Sequence, residues 1–191
     1  MANIPSNAPL VYVSFSAEIN PSTTEGLIGV MTDCANLKVQ KVYLLISTPG
    51  GTVMNGLNLY NVLKGLPFEL TTHNVGNVDS IGNAVFLAGK IRYATATATF
   101  MFHGVGFNME QQQRFGQKDL EERLNNVLAD QKRIGSIIAQ HTNLNARQVA
   151  SLFRQAQTKD AQYALSKGII QNICDVQIVA GSPIISLIFK R

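Results

Sequence analysis

Apolar and polar positions along the chain fall into alternating strand-like and helix-like runs. Residues 10–16 (LVYVSFS) read as a strand, and a helix opens after Asn20-Pro21, with Ser22 and Glu25 at capping-box spacing. Leu27, Val30, Met31, Cys34 and Ala35 then recur on one helical face. Residues 41–47 (KVYLLIS) form a second strand, apolar enough to lie at the centre of a sheet. Thr48-Pro49-Gly50-Gly51-Thr52 turns tightly into a second amphipathic helix that keeps Val53, Leu57, Tyr60 and Leu63 in register. Residues 68–75 read as the next strand, broken by Gly76-Asn77. From Ser80 to a stop at Gly89, small and apolar residues predict a helix buried on all sides. Shorter strands over 91–95 and 99–102 lead to His103.

The second half is more helical. Residues 104–117 are polar and irregular and include Gln111-Gln112-Gln113. A long helix follows over 118–141, with Leu120, Leu124, Val127, Leu128, Ile134, Ile137 and Ile138 as its apolar stripe. At 1.5 Å per residue it spans roughly 35 Å, more than a domain of this size needs, so part of it is expected to pack on another chain. A short helix over 143–155 comes next, then one over 160–168 with Asp160 as cap and Gly168 as stop. Apolar strands over 169–179 and 183–189 close the chain, and residues 1–9 read as a loose arm. Strand–helix alternation of this kind predicts an α/β fold, a parallel sheet built from repeated βαβ units with right-handed crossovers. Nothing marks a second domain, so one domain over 1–191 is expected.

Composition narrows the function classes. Hydrophobic residues make up 46% of the chain and charged residues only 15%, which points to apolar surface covered by partner subunits. The net charge of +4 comes without any Lys/Arg block, and Trp is absent, so a nucleic-acid partner is not expected. No run approaches membrane-spanning length and no signal peptide is visible, so no membrane partner is expected and the expected location is cytoplasmic. Cys34 and Cys174 read as isolated buried thiols, no Cys/His cluster has zinc spacing, and neither a metal nor another cofactor is expected. His73 falls inside a strand pattern. His141 ends the long helix, where a cation suits the dipole.

The candidate chemistry lies at the strand ends. Ser80 sits on a sharp strand-to-helix turn, although Val78 takes the place of the first glycine of a G-x-S-x-G elbow. The same position suits an ordinary helix N-cap, and the stretch by itself favours that reading. The Pro49-Gly50-Gly51 turn ends a neighbouring strand and can offer backbone N–H groups to an oxyanion, together with the amide after the serine. His103 leaves a strand at the same edge. A serine, a histidine and two backbone donors are the parts of an acyl-transfer site.

These words and their order resemble the proteolytic subunit of the Clp protease, of the ClpP/crotonase superfold. Leu44-Leu45-Ile46-Ser47-Thr48-Pro49-Gly50-Gly51 is similar to that family's strand and N-S-P-G-G turn, and Gly76-Asn77-Val78-Asp79-Ser80-Ile81-Gly82 to its G-x-x-A-S-M-G motif. Met101-Phe102-His103 resembles M-I-H. Phe115-Gly116-Gln117 with the long helix and His141-Thr142 resembles the handle, and Ala161 with Ala164–Ile170 the A-x-x-A-x-x-x-G-L-[IV] helix. The resemblance implies a ClpP/crotonase-like sheet with a protruding handle over about 104–141. It implies a serine peptidase with Ser80 as nucleophile, His103 as general base and the amides of Gly51 and Ile81 as oxyanion hole. It also implies a homo-oligomeric ring, a heptamer or a stacked pair of them, acting on peptides or unfolded proteins.

Two departures bear on this. Counting twelve positions back from Gly168, the family's third triad residue falls on Ala156, which has no carboxylate, and Asp160 nearby is better placed to cap its helix. Gln155 or Gln157 could orient the imidazole, and Asp79 puts a charge next to the nucleophile. Only about nine residues precede the first strand, so an AAA+ unfoldase partner is not the expectation. The alternatives are a weak or inactive ring subunit and, further off, a crotonase-type acyl-CoA enzyme.

Overall fold

The computed structural model describes residues 4–106 and 114–189. The Gln111–Gln113 run and most of the segment before the handle helix therefore lie outside the described residues. The elements in chain order are β1 (Val11–Ser16), α1 (Pro21–Asn36), β2 (Lys41–Thr48), α2 (Val53–Gly65), β3 (Glu69–Asp79), α3 (Gly82–Phe86), β4 (Ile91–Ala94), β5 (Thr99–Met101), α4 (Gln117–His141), α5 (Ala146–Gln155), β6 (Thr158–Asp160), α6 (Ala161–Ser166), β7 (Asn172–Ile173) and β8 (Ile184–Leu187). They build an eight-stranded sheet with the path β6-β5-β3-β2-β1-β8, while β4 lies between β3 and β7. Every pairing is parallel except β5 with β6. The expected α/β architecture with its long helix is therefore present, with one short antiparallel edge added.

Alternation in the strands decides where the core lies. Val11, Val13 and Phe15 of β1, Val42, Leu44 and Ile46 of β2, and Leu70, Thr72 and Asn74 of β3 are all buried and share one face by register. Leu27, Met31 and Cys34 of α1, with Leu57, Leu59 and Leu63 of α2, complete the cluster. The opposite face carries an aromatic row, with ring centroids of Tyr12 and Tyr43 at 5.2 Å, Tyr43 and His73 at 5.8 Å, and His73 and Tyr93 at 5.9 Å. The C-terminal stretch closes over that row: the Tyr12 hydroxyl donates to the Gln177 carbonyl at 3.0 Å and accepts from the Val179 amide at 3.2 Å.

Several boundaries differ from the pattern-based expectation. β3 does not end at Gly76; it runs on to Asp79. Its first half pairs with β4 and its second half with β5, and the β2 register shifts between Ile46 and Thr48. A Cβ on Gly76 would stand 2.8 Å from Ser47 Oγ, so the glycine serves a close crossing inside the strand. α1 is capped by Asn20 with Thr23, not by Ser22 with Glu25. The arm is tied down in its described part: the Asn7 amide donates to the Leu37 carbonyl, the Gln40 amide donates to the Ala8 carbonyl, and Ala8 is buried. The predicted strand over 169–179 shrinks to Asn172–Ile173, and Cys174 is only half-buried. On α4, only Ile134, Ile137 and Ile138 reach the core. Leu120, Leu124 and Leu128 are more than half exposed along one side of a helix about 37 Å long.

The histidines outside the site are structural. His73 is fully buried with Nδ1 2.8 Å from the Tyr43 hydroxyl, and burial lowers its pKa. His141 Nε2 lies 2.8 Å from the Tyr60 hydroxyl; burial, then Lys64 and Arg92, lower its pKa, so the expected cation at the helix end is corrected to a ring held toward neutrality. Below the ordinary value of 6.5 the unfolded chain takes up protons that these two folded rings resist. Stability is thus complete above that pH and lost as pH falls toward the depressed folded values. The calorimetric melting midpoint is expected to drop as the pH is lowered from about 7 to about 5. A midpoint that holds or rises over that range contradicts this assignment.

Candidate active site

The carboxyl ends of β2, β3 and β5 meet at one edge, and each delivers one part of the site. β3 ends at Asp79, opposite Met101 of β5, and the Ser80 amide donates to the Met101 carbonyl at 2.9 Å. Ser80 itself has φ +57°, a left-handed conformation that a non-glycine residue adopts only when its surroundings impose it. α3 begins two residues later with Ile81 as its cap, and no side-chain capping bond forms. The N-cap reading of Ser80 is thereby corrected: its hydroxyl has no hydrogen-bond partner among the described residues. The elbow lacks the first glycine of the usual motif because Val78 points into the core, fully buried, and leaves the turn clear.

The Pro49-Gly50-Gly51 turn closes against this elbow. Gly50 has φ +87°, and a Cβ there would stand 2.7 Å from both the Asp79 carbonyl oxygen and Ser80 Cβ. Only glycine lets the two strand ends approach so closely. Gly51 has φ +146° and runs beside Ile19, whose amide donates to the Gly50 carbonyl while the Thr52 amide donates to the Ile19 carbonyl. The Gly50 amide is spent on Thr48 Oγ1 at 3.1 Å. The Gly51 and Ile81 amides have no partner among the described residues, which leaves two uncommitted donors flanking Ser80.

His103 stands two residues past Met101, so it leaves the sheet beside the strand end that carries Ser80. Neighbouring strands lie about 5 Å apart. Its Nδ1 is 2.7 Å from the Gly104 carbonyl oxygen. A carbonyl only accepts, so Nδ1 carries a proton, and the tautomer this selects leaves the lone pair on Nε2. Neither that Nε2 nor Ser80 Oγ is hydrogen-bonded among the described residues, so both stand free for substrate at the ends of adjacent strands. Hydrogen bonds between catalytic groups commonly tighten only when substrate is bound.

Among the described residues no carboxylate is hydrogen-bonded to the imidazole. Asp160 Oδ1 accepts from the Tyr163 amide at 2.8 Å as the cap of α6, and it pairs with Thr99, four residues from His103 along β5. Asp79 Oδ2 accepts from Asn77 Nδ2 at 2.6 Å, within a group that includes Ser47. Gln155 donates to Ser151 and Gln157 accepts from Lys159, so neither serves the histidine. Ala156 ends α5 in the left-handed conformation, φ +48° and ψ +47°.

Two residues of the site escaped sequence reasoning. Asn83 is buried, and its Nδ2 donates to the carbonyls of Ser80 at 3.1 Å and Met101 at 2.8 Å. A lone amide inside an otherwise apolar helical run was the available signal. Gly104 acts through its main-chain carbonyl, which leaves no trace in residue type. Among the described residues no group of three or more His, Cys, Asp or Glu could hold a metal ion, and no helix is long and apolar enough to cross a membrane.

The sequence model described as Clp protease matches residues 11–177. The chain is 25% identical over 166 residues to the ATP-dependent Clp protease proteolytic subunit 2 of Treponema pallidum (strain Nichols), covering 85% of this chain and 81% of that protein. Its fold is shared with a mutant of ClpP1 from Listeria monocytogenes at a TM-score of 0.78 and 18% identity, over 87% of this chain and 92% of the other.

Proposed function

We propose that this chain, which belongs to the Clp protease family, cleaves peptide bonds as a serine peptidase through an acyl-enzyme on Ser80, with His103 as its base and no carboxylate behind it among the described residues. The observation that carries the reading is the left-handed Ser80 turn, pressed against Gly50 and flanked by the uncommitted amides of Gly51 and Ile81. In this reaction Ser80 Oγ adds to the scissile carbonyl while His103 Nε2 takes its proton. The carbonyl oxygen becomes an oxyanion held by the Gly51 and Ile81 N–H groups. The intermediate collapses as His103 returns the proton to the leaving amine, and water then releases the acyl group by the same steps in reverse roles.

Family membership supports a ring of like subunits working on peptide or unfolded-protein substrates. The exposed row Leu120, Leu124 and Leu128 supports contact between copies through α4. This row runs into an apolar groove of about 580 Å³ between α4 and α5, lined by Leu128, Val149 and Phe153 among others.

The lack of a carboxylate beside His103 among the described residues sets the expected level of activity. In a complete triad, removing the serine costs about 2 × 10⁶ in turnover and removing the carboxylate alone about 3 × 10⁴. A dyad therefore stands only about a hundredfold above its own Ser80→Ala variant. A fluorophosphonate is expected to label the assembled protein on Ser80, with no label in Ser80→Ala and a peptidase rate about a hundredfold lower. An unlabelled wild-type protein that assembles normally overturns the reading in favour of a non-catalytic ring subunit.

A further inference from the structure

We infer that Asn83 is a positioning residue for the acyl-transfer site, holding the Ser80–Ile81 peptide unit and the strand before His103 in one hydrogen-bonded node. The inference rests on the peptidase reading of Ser80 and adds a residue to it. Asn83 is 1% exposed. Its side-chain nitrogen faces two carbonyl oxygens, Ser80 at 3.1 Å and Met101 at 2.8 Å, which fixes the amide orientation, because only the NH₂ end can donate to both. The Ser80 carbonyl also accepts from the Asn83 main-chain amide at 3.2 Å, and the Met101 carbonyl from the Ser80 amide at 2.9 Å. Both main-chain polar groups of Ser80 are therefore held, one by β5 and one by Asn83.

The consequence for chemistry follows from peptide planarity. The Ser80 C=O and the Ile81 N–H belong to one trans unit and point in opposite directions. Anchoring the carbonyl on Asn83 therefore aims the Ile81 N–H, a proposed oxyanion donor, to the other side of the unit. The same side chain bonds Met101, two residues before His103, so nucleophile turn, oxyanion donor and base share one anchor. Asn83 Oδ1 is buried with no partner, a cost that an alanine in this helix would avoid. The node accounts for an amide being kept there.

The test compares wild type, Asn83→Ala and Asn83→Ser as assembled proteins, by amide exchange at Ser80 and by fluorophosphonate labelling resolved into half-saturating concentration and maximal rate. In Asn83→Ala, Ser80 exchange is expected to quicken at least about tenfold while core amides such as Leu44 keep their protection. The maximal labelling rate is expected to fall about ten- to a hundredfold at an unchanged half-saturating concentration. A serine at this position can donate to the carbonyl three residues back, which is that of Ser80, so Asn83→Ser is expected to recover most of the rate. Unchanged Ser80 exchange in Asn83→Ala overturns the node. So does a rate loss matched by a general loss of protection, because that is a folding defect. If wild type takes no label, the peptidase reading fails, and Ser80 exchange alone still decides whether Asn83 holds the turn.

Discussion

Ala156→Asp is expected to raise peptide turnover by about two to four orders of magnitude. β6 runs antiparallel to β5, with Thr99 opposite Asp160, Phe100 opposite Lys159 and Met101 opposite Thr158. Extended two residues past its last pair, that register sets Ala156 across from His103, and the Gly104 amide, which donates to the Phe153 carbonyl at 3.1 Å, keeps the two segments close. The backbone accepts the change, because Ala156 already sits in the left-handed region, where Asp is favoured over Ala. Ala156 is exposed, so the new carboxylate carries little burial cost. It would replace the Gly104 carbonyl as acceptor of the Nδ1 proton and would stabilise the imidazolium that a neutral carbonyl leaves bare. The upper figure is the loss seen when a triad carboxylate is neutralised; the lower allows for the tautomer that Gly104 already fixes. Rates on an unstructured fluorogenic peptide decide it, with Ala156→Asn as the neutral control. Equal rates for the Asp and Asn variants, or no gain from either, would show that the register argument misplaces the side chain.

The fold and the strand-end edge that carries Gly51, Ser80 and His103 were legible in the sequence because both rest on local patterns. Alternation marks β1 and β2, the helical period marks α1 and α2, and the words around Gly51, Ser80 and His103 fall at strand ends. What stayed hidden depends on distant backbone. Gly76 reads as a break because glycine usually ends a strand; here β3 continues by exchanging β4 for β5 as its neighbour, and no local rule carries that exchange. The Ser80 turn, at φ +57°, is held by Met101 and Asn83 rather than by neighbours in a glycine-rich elbow. The partner of His103 is a carbonyl, which every residue possesses, so searching for an acidic or amide side chain could not find it. The two glutamines that seemed available are consumed by Ser151 and Lys159. Arg92 was equally opaque, since one cation in a short strand reads as a solvent-facing position.

Arg92→Met is expected to destabilise the fold by about 4 kcal/mol, lowering the melting midpoint by roughly 10 °C. Arg92 is 8% exposed, and among the described residues it makes no ion pair with a carboxylate. It instead gathers four carbonyls: Ile169 from Nε at 2.7 Å, Gly89 from Nη1 at 3.1 Å, and His141 at 3.0 Å and Gly168 at 3.2 Å from Nη2. His141 is the last residue of α4, and Gly168 follows α6, so the guanidinium lies where helix ends accumulate partial negative charge. That environment compensates a buried cation whose pKa burial lowers. Methionine matches the stem but supplies no donors, leaving several carbonyls unpaired away from water, each at about 1–3 kcal/mol before relaxation. Arg92→Lys retains the charge as a single point and cannot fork to four oxygens, so it is expected to recover about half of the loss. The loss matters for the site because Arg92 ties the end of α4 and the α6 turn to β4, and β6, which runs directly into α6, pairs with β5, the strand that leads to His103. Denaturation midpoints of the three proteins measure it, and an Arg92→Met variant within about 1 kcal/mol of wild type would show that the four carbonyls find water instead.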